Sequence, residues 1–268
     1  MIRILFFGDV VGEIGLRALQ KELPRLRKSL QADFVIVNGE NVCKGRGLTY
    51  KEYRALVEAG SDCITLGNHY RGRDQIDDYI QEAGHLIRPL NLKTYYRGEG
   101  SATFEVEGVD VTVTNLLGTA FMKEEVDDPI ASFREILGDS SIVHIVDYHA
   151  ESTSEKAIFA EVYRGQVSAV IGTHTHVQTA DEGIRGGTAF LSDVGYCGMR
   201  DGIIGYVPES VVGALVRKTG ERFQIAEEGP TEIDFAILDI DPISGNCVNI
   251  EPVRLLDGKE FARVSHRL

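Results

Sequence analysis

A chain of 268 residues, 43% hydrophobic and 26% charged, has the profile of a soluble globular protein long enough to bury a substantial core. Its formal net charge of −13 argues against nonspecific binding to long nucleic acid or an anionic membrane surface, which needs clustered Lys and Arg. No stretch approaches the roughly 20 uninterrupted apolar residues of a membrane helix, and the opening MIRILFFGDVVG has neither a basic leader nor a small-residue cleavage site, so the expectation is a cytoplasmic protein without a membrane partner.

The N-terminal half alternates strand and helix patterns. Ile2 to Phe7 is a continuous apolar run that stops at Gly8-Asp9, and Leu16 to Leu30 then repeats apolar positions at helical spacing, which opens a βαβ unit. Phe34 to Val37 reads as a second buried strand ending in Asn38-Gly39-Glu40-Asn41. A helix near Thr49 to Ala59 leads to a third strand, Cys63 to Leu66, ending in Gly67-Asn68-His69. The middle predicts a hairpin, with Thr103 to Val106 and Val109 to Asn115 alternating around Glu107-Gly108, followed by a loop and a helix to Leu137. Ser141 to Tyr148 then repeats the first pattern and runs into His149-Ala150-Glu151. A helix over Ser154 to Tyr163 precedes the strand Ala169 to Ile171, which leads into Gly172-Thr173-His174-Thr175-His176. Two late runs, Ile233 to Ile240 and Val248 to Leu256, suggest antiparallel strands that either close the sheet or form another. With no repeat, linker or low-complexity segment, the pattern reads as one α/β domain over residues 1–268 with a sheet-on-sheet core.

Cys43, Cys63, Cys197 and Cys247 form neither a CxxC pair nor a dense framework, and read as reduced thiols. The chemistry lies elsewhere. In open α/β proteins ligands bind outside the carboxyl ends of the strands, so residues at those ends meet in space. Collecting them gives Asp9, Glu40, Asn41, Asn68, His69, His149, His174 and His176, a set with four of the seven histidines. Imidazole and oxygen donors without thiolate suit iron, manganese or zinc. Each residue has an ordinary reading alone: Asp9 as a helix cap, Asn68 as a turn former, the histidines as satisfied loop residues. Agreement at five strand ends is what points to a site. His174 and His176, at i and i+2 in extended chain, would turn both rings to one side and straddle two ions. A dinuclear centre needs a bridging group with its ions about 3.5–4 Å apart; Glu40, on the central of the first three strand ends, is the natural bridge. Asp9 and one of the last two histidines would complete one ion, with Asn68, His149 and the other histidine completing the second. His69 is left free for proton transfer.

The blocks GDVVG, NGEN, GNH, DYHAESTSEK, GTHTHVQTAD, SDVGYCG and RDGIIG, in this order, resemble the calcineurin-like metallophosphoesterases, and within them the YmdB-type branch of cyclic-nucleotide phosphodiesterases. The resemblance spans Ile2 to about Leu255. It implies two packed mixed β-sheets flanked by helices and two divalent or trivalent metal ions, iron foremost, with manganese or zinc as alternatives. It also implies that Asp9, Glu40 and His176 hold the first ion with Asn41 beside it, that Glu40, Asn68, His149 and His174 hold the second, and that His69 is the general acid. The broader superfamily usually has Asp-x-His at the first strand and Gly-Asp at the second; here Val11 stands for that His and Glu40 with Asn41 for that Asp, changes the YmdB-type branch shares. The implied substrate is a small phosphoester, most readily a 2′,3′-cyclic nucleotide, attacked at phosphorus by a hydroxide between the ions. A homo-oligomer is compatible with the resemblance.

Other features are weaker. Arg71 and Arg73 read either as phosphate contacts or as a solvated face, Asp147, Glu151 and Asp193 as supports for the histidines or as helix caps, and Gly118 to Asp128 as a flap. His85, His144 and His266 fall outside the strand-end pattern. Gly8, Gly12 and Gly15 make GxxxGxxG, not the GxGxxG of dinucleotide binding, and Asp9 would oppose a pyrophosphate. A metal barrel of the amidohydrolase type carries its His-x-His at the first strand, not late. The alternative from another class is a metal-binding regulatory or RNA-interacting protein with incidental phosphoesterase activity.

Overall fold

The computed structural model describes residues 1–95, 97–138 and 141–260. The first part of the chain forms β1 (Ile2–Phe7), β2 (Asp9–Val10), α1 (Gly12–Ser29), β3 (Phe34–Asn38), α2 (Tyr50–Ala59), β4 (Cys63–Thr65) and a short α3 (Ile76–Tyr79). Next come β5 (Ser101–Val106), β6 (Val109–Leu117), α4 (Pro129–Leu137), β7 (Val143–His149), α5 (Thr153–Val162) and β8 (Ala169–Thr173). The remainder holds β9 (Gly183–Arg185), β10 (Thr188–Leu191), β11 (Tyr196–Met199), α6 (Pro208–Val212) with a π-helical turn after it, β12 (Thr231–Ile240), β13 (Cys247–Leu256) and β14 (Lys259–Glu260).

Among the described residues the strands make two mixed sheets. One runs β14-β13-β12-β1-β3-β4, with β11 against β12 and β2; the other runs β5-β6-β7-β8-β10-β9. The pairs β1/β3, β3/β4, β6/β7 and β7/β8 are parallel, so their carboxyl ends lie together, while β12 joins β1 antiparallel. The two late strands therefore extend the first sheet.

The alternation of side chains along a strand explains the layering. Leu5 and Phe7 of β1, with Val35 and Val37 of β3, pack on Leu19, Leu23 and Leu26 of α1 and on Leu56 of α2. The intervening Ile4, Phe6 and Ile36 face the second sheet, where Val111, Val113, Ile145, Ala169 and Ile171 meet them. The outer face of the second sheet, Val146, Tyr148 and Val170, is covered by Phe133 of α4 and by Phe159 and Tyr163 of α5. The result is helix, sheet, sheet, helix. His144 shares the outer face, with its ring 5.0 Å from that of Phe133.

One helix boundary and four short strands depart from the periodicity. Helix α1 starts at Gly12, four positions before the first apolar repeat, because the amides of Val11 and Gly12 are satisfied by tertiary carbonyls of Cys197 and Asn41, not by a cap readable in sequence. Strands β2, β9, β10 and β11 are too short to show a period. Among the described residues no helix is long and apolar enough to cross a membrane.

Candidate metal centre

The same alternation that builds the inter-sheet core carries polar side chains to its carboxyl end. On β7, Ile145 lies in the core, and Asp147 and His149 continue its face; on β8, Ala169 and Ile171 are followed by Thr173. Asn38, next after Ile36 on the inward face of β3, bridges the sheets by donating to Asp147 Oδ2 at 3.2 Å. Past these ends β2 supplies Asp9, and the loops supply Glu40, Asn41, Asn68, His69, His174 and His176. All eight strand-end candidates converge, and five of them, Asp9, Glu40, Asn41, His149 and His176, are buried.

Glu40 stands between two groups. On one side its Oε1 lies 3.2 Å from His149 Nε2, which is also 3.0 Å from Asn68 Oδ1 and 3.1 Å from His174 Nδ1. On the other, Asn41 Nδ2 is 3.3 Å from Glu40 Oε1, 3.2 Å from Asp9 Oδ1 and 3.2 Å from His176 Nε2. Gly67 makes the approach feasible: a Cβ there would sit 2.3 Å from His149 Nε2 and 2.5 Å from Glu40 Oε2. No side chain fits at that position without displacing both.

Hydrogen bonds from outside assign the histidine tautomers. Thr173 donates its hydroxyl to Asp147 Oδ1 at 2.7 Å, so its oxygen accepts from His149 Nδ1 at 2.9 Å. His174 Nε2 lies 3.0 Å from Glu151 Oε2, and His176 Nδ1 donates to the Ile204 carbonyl at 2.9 Å. Each ring is thus held by one nitrogen and turns the other inward. Around His149 Nε2, one proton can bridge to only one of the three lone-pair atoms beside it, whereas a cation can draw on all of them. Glu40, His149 and His174 together could hold a metal ion.

The electrostatics agree with that geometry. Burial pushes the Asp9 carboxyl up, but the hydrogen bond and charge of His176, with His149, hold it well below the usual carboxylate range. Glu40 is likewise lowered, burial being outweighed by its contacts with His149. Burial opposes charge on His149, yet Glu40 and Asp9 raise its pKa to about 9. Burial, then the neighbouring His149, lowers His174 to about 3. Burial also raises Asp147 to about 6. Two ionised carboxylates in a buried pocket thus recruit positive charge, which a proton on His149 or a metal cation can provide.

His69 sits at the mouth. Its amide donates to Glu40 Oε2 at 2.8 Å and its Nδ1 to Asn41 Oδ1 at 2.6 Å, leaving Nε2 for exchange with a ligand. Burial lowers its pKa, partly offset by Glu40.

The extended-chain expectation for His174 and His176 is overturned. Both lie beyond β8 with φ of 105° and 60°, in the left-handed region. The curl follows from three tethers: His174 N–H to Asp9 Oδ2 at 3.1 Å, Thr175 N–H to Asp193 Oδ2 at 2.9 Å, and the Thr173 carbonyl to Lys156 Nζ at 2.8 Å. The two rings still reach opposite sides of the site, through backbone curvature instead of strand geometry.

The family model for YmdB-like protein matches residues 5–253. The chain belongs to the YmdB-like family. Across 264 residues it is 38% identical to the 2′,3′-cyclic-nucleotide 2′-phosphodiesterase of Bacillus subtilis (strain 168), covering 97% of this chain and 99% of that protein. The crystal structure of a novel phosphatase from Mycoplasma pneumoniae matches with a TM-score of 0.89 at 35% identity, covering 95% of this chain and 93% of that one. The calcineurin-like phosphoesterase YfkN from Bacillus subtilis matches at TM-score 0.54 and 12% identity over 98% of this chain and 92% of its own, which shows the shared fold. The YmdB-like chain thus has the calcineurin-like two-sheet architecture.

Several supports in this YmdB-like site escape a reading of strand ends. Thr173 and Asn38 were discoverable from the alternation along β8 and β3; the Ile204 carbonyl and Lys156 had no local signal. Asp147, Glu151 and Asp193 do hold the histidine segments. Arg71 instead pairs with Asp77 at 2.8 Å, and Arg73 donates to Cys43 Sγ at 3.1 Å. The Gly118 to Asp128 segment is pinned at Thr119 and Ala120 by Glu155, with Phe121 88% exposed beyond. His85 bonds the Asp62 carbonyl, and His266 lies outside the described residues. All four cysteines are free.

Proposed function

We propose that this protein is a metal-dependent phosphodiesterase acting on cyclic nucleotides, 2′,3′-cyclic ones foremost. Asp9 and His176 would hold one ion, with Asn41 beside it orienting the carboxylates through Nδ2, Asn68, His149 and His174 would hold the other, and Glu40 would bridge, with iron the first candidate and manganese or zinc behind it. The observation that carries this reading is the position of Glu40 Oε1, 3.2 Å from His149 Nε2 on one side and 3.3 Å from Asn41 Nδ2 on the other. The Bacillus subtilis relative's activity supports the substrate class.

When bound, such ions supply Lewis acidity to phosphoryl oxygens and make water nucleophilic near neutral pH. The chain's own residues do the rest. Thr173, Glu151 and the Ile204 carbonyl hold the three histidine rings, so little reorganisation is needed at reaction. Asn41 Oδ1 orients His69 by accepting from Nδ1–H, and the imidazolium form of His69, which carries a second proton on Nε2, passes that proton to the departing ester oxygen. The attacking water forms a bond to phosphorus and releases a proton to solvent as the ester P–O bond breaks, so the product is a phosphomonoester with a free hydroxyl, and His69 takes a proton back from solvent to complete the cycle.

The net charge of −13 suits a small phosphoester over long nucleic acid, and we place the activity in the cytoplasm. The test is a phosphoester panel run on protein reconstituted separately with iron, manganese and zinc, beside Glu40→Gln. Hydrolysis of a cyclic nucleotide that disappears in the variant is the expected result. No hydrolysis of any diester or monoester by the metal-loaded wild type would overturn the proposal in favour of a regulatory metal protein.

A further inference from the structure

Three arginines lie on the two loops that carry Glu40 and His69, and they are differently occupied. Arg71 pairs with Asp77 and stacks over the Tyr95 ring. Arg73 donates to both the sulfur and the carbonyl of Cys43. Arg46 is exposed, and among the described residues its guanidinium donates no hydrogen bond and closes no ion pair, in a chain with 41 acidic residues.

An unpaired surface arginine is ordinary; its mounting here is not. The loop after Glu40 folds back on itself, with Cys43 N–H bonded to the Gly47 carbonyl at 2.9 Å, Arg46 N–H to the Cys43 carbonyl at 3.1 Å, and Gly47 N–H to the carbonyl of Glu40 itself at 2.5 Å. The stem of Arg46 then lies on the turn after His69: a Cβ at Gly72 would be 2.7 Å from Arg46 Cγ and 2.7 Å from Gly47 N. Arg46 is thus set between the segment bearing Glu40 and the segment bearing Asn68 and His69. Its charge is felt at the His69 imidazole and at the Tyr206 hydroxyl.

We propose, building on the phosphoesterase reading above, that Arg46 binds a non-bridging oxygen of the substrate's phosphoryl group beside His69. As the new P–O bond forms and the ester P–O bond breaks, the phosphoryl oxygens gain negative charge. A guanidinium offers a planar pair of donors for them, at no cost of breaking an existing ion pair. Tethering of its loop to Glu40 limits the freedom lost on binding. A surface cation with no ligand would have the same exposure but no effect on phosphate affinity.

The test compares Arg46→Gln, Arg46→Lys and a control, Lys44→Gln, which removes an exposed charge from the same loop. Steady-state hydrolysis of a 2′,3′-cyclic nucleotide, metal content and calorimetric titration with inorganic phosphate are measured on each. Arg46→Gln is expected to lower kcat/KM about 10–100-fold and to weaken phosphate binding about tenfold at unchanged metal content. Arg46→Lys falls between, because it restores charge without the fork, and Lys44→Gln behaves as wild type. Wild-type phosphate affinity and kcat/KM in Arg46→Gln, an equal loss in Lys44→Gln, or loss of metal together with activity would each overturn the assignment. If the wild type hydrolyses no ester, it is the functional reading that fails, and the phosphate titration still decides whether Arg46 binds the anion.

Discussion

Lys156 Nζ lies 3.1 Å from Asp193 Oδ2, and both side chains are completely buried behind the His174 to His176 segment. The lysine also donates to the Thr173 carbonyl, while the same Asp193 oxygen accepts from Thr175 N–H. A helix residue and a loop residue thereby clamp the backbone on both sides of His174. Removing one partner of such a pair strands a charge without solvent, which costs about 3–5 kcal/mol. Lys156→Met should therefore lower stability by that amount in urea titration and reduce metal retention. Lys156→Met combined with Asp193→Asn should recover part of the stability but not the metal, because the clamp on the histidines is still gone. Full recovery of metal in the double variant would show that the pair serves stability alone.

Gly67 separates packing from chemistry. A single methyl there would collide with His149 Nε2 and Glu40 Oε2, both in the candidate centre and neither a member of the hydrophobic clusters. Gly67→Ala should lower metal stoichiometry by at least about one ion per chain while shifting the unfolding midpoint by the equivalent of about 1 kcal/mol. Metal analysis and a thermal melt on one sample check it; wild-type metal content would show that the loop moves aside.

His69 is expected to behave as a proton donor and not as a ligand. Its side chain holds Asn41 Oδ1 through Nδ1, and its contact with Glu40 Oε2 is made by its backbone amide, which substitution leaves in place. His69→Ala should reduce kcat about 10²–10⁴-fold with metal content near wild type. Loss of turnover and metal together would assign the ring to the metal instead.

His144 predicts an acid-side stability slope that has nothing to do with the metal centre. Burial drives its pKa down to about 4 from an ordinary value of 6.5, so the unfolded chain binds more protons than the folded one between those values. Stability from this group is complete above pH 6.5 and falls with acidification, by about 3 kcal/mol at pH 4. In His144→Leu that part of the slope should vanish, and Thr114 keeps Ser101 Oγ as a hydroxyl partner at 2.8 Å. Urea midpoints of wild type and variant at pH 7, 5.5 and 4.5 measure it, and parallel curves would contradict it.

Much of the candidate centre was legible because it is built on period-two strands. Ile145, Asp147 and His149 follow one face of β7, and the carboxyl ends of parallel neighbours are adjacent whatever loops intervene. The order β1-β3-β4 that makes Glu40 central follows from consecutive βαβ units. Short strands such as β2 and β11 escaped, since two to four residues carry no period and are held by pairing with distant segments.

By itself the sequence determined which side chains come to the end of the inter-sheet core, because alternation along a strand is local and the parallel crossovers bring those ends together. Only the tertiary structure decided how they divide around Glu40, why His174 and His176 stand in left-handed backbone, and which ring nitrogen of each histidine turns inward. Those choices depend on hydrogen bonds to Thr173, Glu151, Ile204 and Asp193, and in the buried Lys156 to Asp193 pair on residues 37 positions apart. No local pattern encodes them, since backbone curvature and proton position at a loop are set by whichever groups the fold brings into contact.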